Sequence, residues 1–467
     1  MWTHSEPYAL RTSMPLTSIP GKYLQKTGGI VLYCLLVLAA AEFVVRGPVR
    51  YLHPTNWNDL AQYYATSRIW LRGQNFANPE NFAAMWRDEI GEPLSANTAR
   101  MHIAPPPSAL VLFAPISALP WPAAKLVWLA VLLAGFAVTV GSLLHIAGLS
   151  VIERRGLAFL AACLALAPFH TGIATGNQTI VVVGLCAFGV WAACANCDII
   201  AGMSLGAACS LKPHIAGFLL LYYILQRRWR LFATAVVLTV VLVVLAAAWM
   251  QFAGVNWVPD YLNNMKFGAA KNTIDDFTTA NPIRFMLINL QVPLYSFTHN
   301  AKSANLIAFC AGAALMVTWI ILVPKGRTQQ VELLSLATIA VIGLLPLYHR
   351  LYDASMLAIP LCWCVIRPKA LARVANAALL LMIPFLLPGA AVLQQAFRDG
   401  WIPRTWAESW WWDRLLMPHQ TWLLLLMSVL LLYAMRQESQ LQWREQLSQE
   451  SASGPLIMLS DRAEEQR

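Results

Sequence analysis

The sequence predicts an all-α polytopic membrane protein, and three observations carry that expectation. Hydrophobic residues make up 58% of the 467 and charged residues 12%, against about 45–50% and about 25% in a soluble domain. Apolar runs close to the length of a bilayer crossing, about 20 residues, recur along the chain. Short Lys/Arg clusters separate them, the pattern of cytoplasmic loops. That pattern also accounts for the net charge of +10. Membrane lipids are therefore expected as partners and nucleic acid is not.

The first run, about 29–46, ends at Arg46-Gly47-Pro48 and starts too late for a cleaved signal peptide. An apolar stretch at 103–119 opens on Pro105-Pro106-Pro107. Further runs are 123–147, 156–170, 177–195, 229–252, 303–323, 332–348, 350–366, 374–394 and 419–436. Two shorter runs, 199–211 and 214–226, flank Lys212-Pro213-His214.

Basic clusters at Arg154-Arg155, Arg227-Arg228-Trp229-Arg230, Lys325/Arg327 and Arg367/Lys369/Arg373 mark the cytoplasmic side. Loop 47–102 is charge-balanced, with five Lys/Arg against five Asp/Glu, as is 395–418 with three of each. These loops, with 253–302, are expected outside. Parity fits if 103–119 dips into the membrane or lies at its interface. The chain then has about twelve spans, with Gly176-Asn177-Gln178 and Lys212-Pro213-His214 outside. This divides the chain into a cytoplasmic N-terminus (1–28), a transmembrane domain (29–436) and a polar cytoplasmic tail (437–467). Irregular backbone at membrane depth survives only beside protein or water. The Pro-rich start of 103–119 and the broken Lys212 hairpin therefore predict an outward-facing cavity.

The nine cysteines lie in or beside apolar runs rather than in the long outer loops, so no disulfide framework is expected. Cys194-x-x-Cys197 has no second pair to complete a metal site and reads as small hydrophobes at a helix end.

Four outer features carry candidate chemistry. Asn58 is placed to cap a helix running to about Arg72, with Asp59 in its first turn; Asp88 and Glu89 later in that loop read as solvated charges. A plainer account of Asp59 is the helix dipole, worth about 0.3–1 kcal/mol. Lys212 stands between two apolar half-spans, beside His214; either it faces an anion or it snorkels to water. Tyr348-His349-Arg350-Leu351-Tyr352-Asp353 joins two spans, and an Arg350–Asp353 pair closing a turn is its plainer reading. Arg284 follows Asn281-Pro282-Ile283 and precedes an amphipathic stretch to about Ser296, which also suits an interfacial helix. Together they offer one carboxylate, several cations and several amides on one face, which suits a base working beside a phosphate. Aromatics near Asp59, Tyr63 among them, suit a sugar ring or an interfacial belt equally.

The sequence has no phosphate-binding Gly-rich loop, no dinucleotide fingerprint and no His-Glu-x-x-His. It also lacks the Asp-x-Asp clamp that holds nucleotide sugars through a metal. A transferase with an outward site would draw its donor from the lipid.

The chain resembles glycosyltransferase family 87, polytopic GT-C enzymes of the polyprenyl-phosphate-mannose-dependent α-mannosyltransferase type. The resemblance rests on an ordered set over about 55–365. It begins with Asn58-Asp59, Tyr63-Tyr64, Gly73, Pro105-Pro106, Pro115 and Leu119-Pro120. It continues through Gly176-Asn177-Gln178, Ala201-Gly202, Leu211-Lys212-Pro213 and Arg227-Arg228-Trp229-Arg230. Asn289-Leu290-Gln291 and the Tyr348–Ala354 segment close it. Two positions depart: Ile103-Ala104 stands where an aromatic often precedes the Pro-Pro pair, and Gly176-Asn177-Gln178 where many members have Gly-Gln.

The resemblance implies a GT-C-like fold and an inverting transfer of a hexose, mannose in this type. The donor is a polyprenyl-phosphate sugar and the acceptor a lipid or glycan, on the extracytoplasmic face of a bacterial plasma membrane. It makes Asp59 the general base. Lys212, His349 and Arg350 are candidates for the donor phosphate. Asn58, Tyr63, Gln178, His214, Arg284, Tyr352 and Asp353 are candidates for substrate contact. Neither a cofactor nor a metal is indicated. A transporter or lipid flippase is the alternative, although no internal repeat is visible. A non-catalytic assembly protein leaves the convergence of Asp59, Lys212 and His349 unexplained.

Overall fold

A computed structural model describes residues 21–53, 59–91, 105–268, 273, 275–324 and 329–453. Among them the chain is helical, with no strand and one isolated bridge, Leu287 to Arg350. It is a multi-pass membrane protein. Five helices are long and apolar enough to cross a bilayer: Gly29–Leu52, Trp121–Ile146, Trp229–Phe252, Ala301–Leu322 and Lys369–Leu386. The bent pair Arg154–Ala165 and Ala167–Thr175 is long and apolar enough to make a sixth when its two helices are taken together as one span. These helices leave large apolar side chains exposed, as Val237 (60%) and Leu306 (66%) do. Such a surface needs lipid rather than water.

Six further apolar runs are shorter helices, Pro107–Ser117, Thr179–Cys194, Asp198–Leu211, Pro213–Leu225, Gln329–Gly343 and Leu351–Ile366, while the 419–436 run lies in the long helix His419–Ser453. At about 1.5 Å per residue, the 11 residues of Pro107–Ser117 fall well short of a hydrocarbon core of about 30 Å.

Several boundaries differ from the sequence reading. The first span does not stop at Arg46-Gly47-Pro48. It widens into a π-turn over Val45–Val49 that accommodates Pro48, and continues to Leu52. The 156–170 run bends by 49°, because Pro168 has no N–H to continue the ladder. The 374–394 run breaks after Leu386, and a separate helix, Ala390–Arg398, follows Gly389 at φ +51°. Glu89 is not solvated; it pairs with Arg72 and, at 3.7 Å, with Arg68, while Asp88 stays exposed.

Small residues bring the inner helices together, as helix association in lipid requires. A Cβ on Gly184 would stand 2.6 Å from the Gly135 carbonyl oxygen, and one on Gly206 2.8 Å from that of Ala235. The second contact seats Asp198–Leu211, which carries Lys212 at its end, against Trp229–Phe252.

The long loops meet at one end of this bundle. Asn264 donates to the Ala77 carbonyl (2.7 Å), and Asn75 to Asp260 (2.7 Å), joining the first loop to the second. Ile288 N–H donates to the His349 carbonyl (2.9 Å) and Leu290 N–H to that of Leu345 (2.9 Å). Phe285, Leu287, Val292 and Trp412 form a small separate core between the second and third loops.

Candidate functional site

Helix ends rather than helix faces build the site. Thr175 ends one helix, and Gly176 follows at φ +67°, a left-handed conformation natural to glycine. Trp128 fixes that turn by donating to the Gly176 carbonyl (2.8 Å). Ser108 donates to the Ser210 carbonyl (2.9 Å) and Gln178 to that of Leu211 (3.1 Å), holding the start of the Lys212 break against the same turn.

Asp59 occupies the residue just before the helix Leu60–Leu71, not its first turn, and its carboxylate makes no cap. The side chain instead faces the Gly176 turn. Its Oδ2 accepts from Asn177 Nδ2 at 2.5 Å, and its backbone N–H donates to the Thr175 carbonyl. The carboxyl therefore has a job other than favouring the helix dipole. Burial raises its pKa above the ordinary carboxylate value, against the lowering effects of the Asn177 hydrogen bond and the charges of Arg350 and Lys212.

Asn177 links this carboxylate to a buried ionic network. Its Oδ1 accepts from the Thr179 backbone N–H (2.9 Å) and lies 2.7 Å from Thr179 Oγ1. With Oδ1 so engaged, the amide presents Nδ2 to Asp59. Thr179 Oγ1 lies 2.7 Å from Asp353 Oδ1 and accepts from Lys212 Nζ at 2.6 Å. Lys212 Nζ also pairs with Asp353 Oδ1 at 2.7 Å. Asp353 Oδ2 accepts from the Arg350 backbone N–H (3.0 Å) and faces His349 Nδ1 at 3.3 Å. The expected Arg350–Asp353 ion pair is thus replaced. Asp353 neutralises Lys212, and the Arg350 backbone N–H donates to Asp353.

A cavity of about 520 Å³ opens over these groups and gathers six of the anticipated residues, Asp59, Tyr63, Gln178, Lys212, His214 and Tyr352. Tyr63 is stacked on Phe113 with ring centroids 4.9 Å apart, and Lys212 lies over the Tyr352 ring at 4.8 Å. His349 and Asp353 are fully buried behind the wall. Arg284 does not join them: it pairs with Asp413 at 2.8 Å and stacks on Phe285, in the small separate core. Asn58 lies outside the described residues.

A second, larger cavity of about 710 Å³ shares Tyr352 with the first and is lined by Arg350.

The sequence reading passed over three residues of the smaller cavity's surroundings. Asn177 appeared only within a motif, and Thr179 only as part of an apolar run. Asp275 lies between the helices Val258–Gly268 and Gln291–Thr298, yet it lines the same cavity as Asp59. Burial pushes its pKa up to about 6, opposed by Arg350 and by a hydrogen bond from Tyr348. Adjacent acids, Asp275-Asp276, in a long polar loop were the available signal.

His214, His349 and Asp353 bring potential metal-ligating atoms within 4.8 Å of one another. The Lys212 ammonium already occupies the Asp353 carboxylate and would repel a cation there. The donor set therefore fits an internal ion network better than a metal centre.

The family model for glycosyltransferase family 87 matches residues 105–348, more than half of the chain. The chain belongs to glycosyltransferase family 87, a family of glycosyl-transferring membrane enzymes. The match covers Asn177, Lys212 and Asp275, while Asp59 and the 349–353 turn flank it and reach the site through the fold. No curated protein and no solved structure matches the chain.

Proposed function

We propose that the chain is an inverting transferase that moves a hexose, mannose in the first instance, from polyprenyl phosphate to a lipid or glycan acceptor. The observation that carries this reading is the Asp59 carboxylate, held by Asn177 in the wall of a cavity of about 520 Å³. The acceptor hydroxyl attacks the anomeric carbon from the face opposite the phosphate. Its proton passes to Asp59 as the new C–O bond forms. The bond from the anomeric carbon to the phosphate oxygen breaks, and polyprenyl phosphate leaves with the electron pair. Arg350, near enough to Asp59 and Asp275 to shift both, supplies positive charge for that phosphate. Lys212 and His349 support the site from behind through Asp353.

In this reading the fold is GT-C-like, with about twelve crossings once the short helices are counted. The cavity opens on the extracytoplasmic side of a bacterial plasma membrane. The limits of 1–28 for a cytoplasmic N-terminus and 437–467 for a cytoplasmic tail belong to the same proposal. The test is a membrane assay with radiolabelled polyprenyl-phosphate mannose and polyprenyl-phosphate glucose against a panel of lipid and glycan acceptors, run beside Asp59→Asn. Transfer that needs Asp59 supports the reading. Transfer from neither donor, by an enzyme shown to be folded, removes it.

A further inference from the structure

Two adjacent acids, Asp275 and Asp276, follow the helix Val258–Gly268, and the fold uses them differently. Asp276 is buried and committed to its own turn. Its backbone N–H donates to the Thr273 carbonyl (3.2 Å), its Oδ1 accepts from the Thr278 N–H (2.8 Å), and its carbonyl accepts from Asn281 Nδ2 (2.8 Å). Asn281 Oδ1 in turn accepts from the Ile283 N–H at 3.0 Å. These bonds fix the turn and hold its neighbour, Asp275, in the wall of the cavity that Asp59 lines. Asp275 is not committed in this way. Tyr348, from the same wall, hydrogen-bonds its carboxylate, but its Oδ1 is enclosed and has no partner among the described residues. An enclosed acceptor without a donor is a standing requirement for a ligand or water. Gln178 adds a second: its Nε2 donates to the Leu211 carbonyl, and its Oε1 has no donor. The wall of the cavity of about 520 Å³ thus has unmet acceptors, which suits a molecule rich in hydroxyls.

We propose that Asp275 selects the sugar: its carboxylate accepts a hydrogen bond from a ring hydroxyl of the donor hexose. The inference rests on the transferase reading above and adds to it a residue that tells one hexose from another. Arg350 decides between donor and acceptor. Its charge acts on Asp59 and on Asp275 alike, and in that reading it serves the phosphate. The donor hexose is bonded directly to that phosphate, whereas the acceptor need bring only one hydroxyl to Asp59. The carboxylate near the phosphate therefore meets the donor ring. With a pKa of about 6 the group is mostly ionised at neutral pH and accepts without donating. A site built to bind a hydroxyl discriminates sharply against the analogue that lacks it, because the buried acceptor is then left unpaired.

The test uses the full-length enzyme in detergent with the radiolabelled polyprenyl-phosphate hexose it transfers, mannose first, and the monodeoxy analogues of that donor. One acceptor is held constant, and kcat and KM are read for each donor. Wild type should prefer the parent donor over one analogue by about 10- to 150-fold in kcat/KM, the worth of a hydrogen bond to a charged group. Asp275→Ala should lose that factor on the parent and treat the two donors alike, with most of the change in KM. Asp275→Asn keeps the shape and one acceptor oxygen. It should retain part of the preference, and it carries the test if the alanine variant does not fold. An equal fall for every donor, or the wild-type order of donors kept in full by the folded variants, overturns the assignment. Failure of the transferase reading looks different: folded wild type then transfers from no donor, or Asp59→Asn transfers normally. Transfer that needs Asp59, with a donor preference indifferent to Asp275, removes this inference alone.

Discussion

The Lys212 ammonium lies 2.7 Å from the Asp353 carboxylate, a contact between residues 141 apart in the chain and almost wholly removed from solvent. Each charge answers the other, and Thr179 and the Arg350 backbone N–H satisfy further valences. Removing one partner strands a buried charge, at about 3–5 kcal/mol, whereas replacing both by apolar groups often costs little. Asp353→Ala should therefore destabilise the protein far more than Lys212→Met combined with Asp353→Leu. Thermal unfolding in detergent measures both. If the single and double variants unfold alike, the pair is not a unit.

Asp59→Asn keeps the side chain's size but removes the base. Turnover should fall by about 10²–10⁴-fold, the usual worth of general-base help, with expression and unfolding temperature unchanged. Asp59→Glu should recover little, because moving the carboxylate by about 1 Å can cost about 10²-fold. Asp88→Asn is the matched control, since Asp88 is exposed. Glu89 is unsuitable as a control because Arg72 and Arg68 hold it. Equal turnover in Asp59→Asn and Asp88→Asn would take the base role away from Asp59.

The hydrophobic pattern made the spanning helices legible, since each long apolar run needs no partner to be recognised. Breaks were less legible. Pro168 and Pro388 sit inside runs that are apolar over most of their length, and hydropathy does not register a missing N–H. In the site, the sequence offered residue types and the loops that carry them, so Asp59, Tyr63, Gln178, Lys212, His214 and Tyr352 were within reach. Pairing was not. Asp353 is three residues from Arg350 and 141 from Lys212, and sequence proximity favoured the wrong cation. Asp275 stayed hidden because its nearness to Asp59 depends on two loops folding over one another.

Asn177 donates to Asp59 at 2.5 Å and thereby favours its ionised form. Asn177→Ala should raise the pKa of the base, so the acid limb of the pH–rate profile moves to higher pH. Activity lost at neutral pH should partly return in alkaline buffer. Thr179→Val removes the hydroxyl contact to Asn177 but keeps the backbone donor, and should move the limb less. A uniform loss of rate with an unmoved limb would show that Asn177 supports only the fold.

Asp275 gives the site a second carboxylate, and its titration can be followed by stability. Burial raises its pKa to about 6, so the folded state favours the neutral acid. The sign follows from linkage. The unfolded chain releases this proton at a lower pH than the folded one. The contribution is therefore fully present below the ordinary carboxylate range and is lost as pH rises through about 6. Asparagine is neutral at every pH. Asp275→Asn should then raise the unfolding temperature at pH 8 and change it little at pH 4. A gain confined to pH 4 would mean that Arg350 and Tyr348 outweigh burial and hold the group ionised. Turnover separates its chemical role from its electrostatic one. With Asp59 as the base, Asp275→Asn should retain turnover within about tenfold, well inside the range of a lost base. A loss as deep as that of Asp59→Asn would make the two carboxylates partners in the proton transfer.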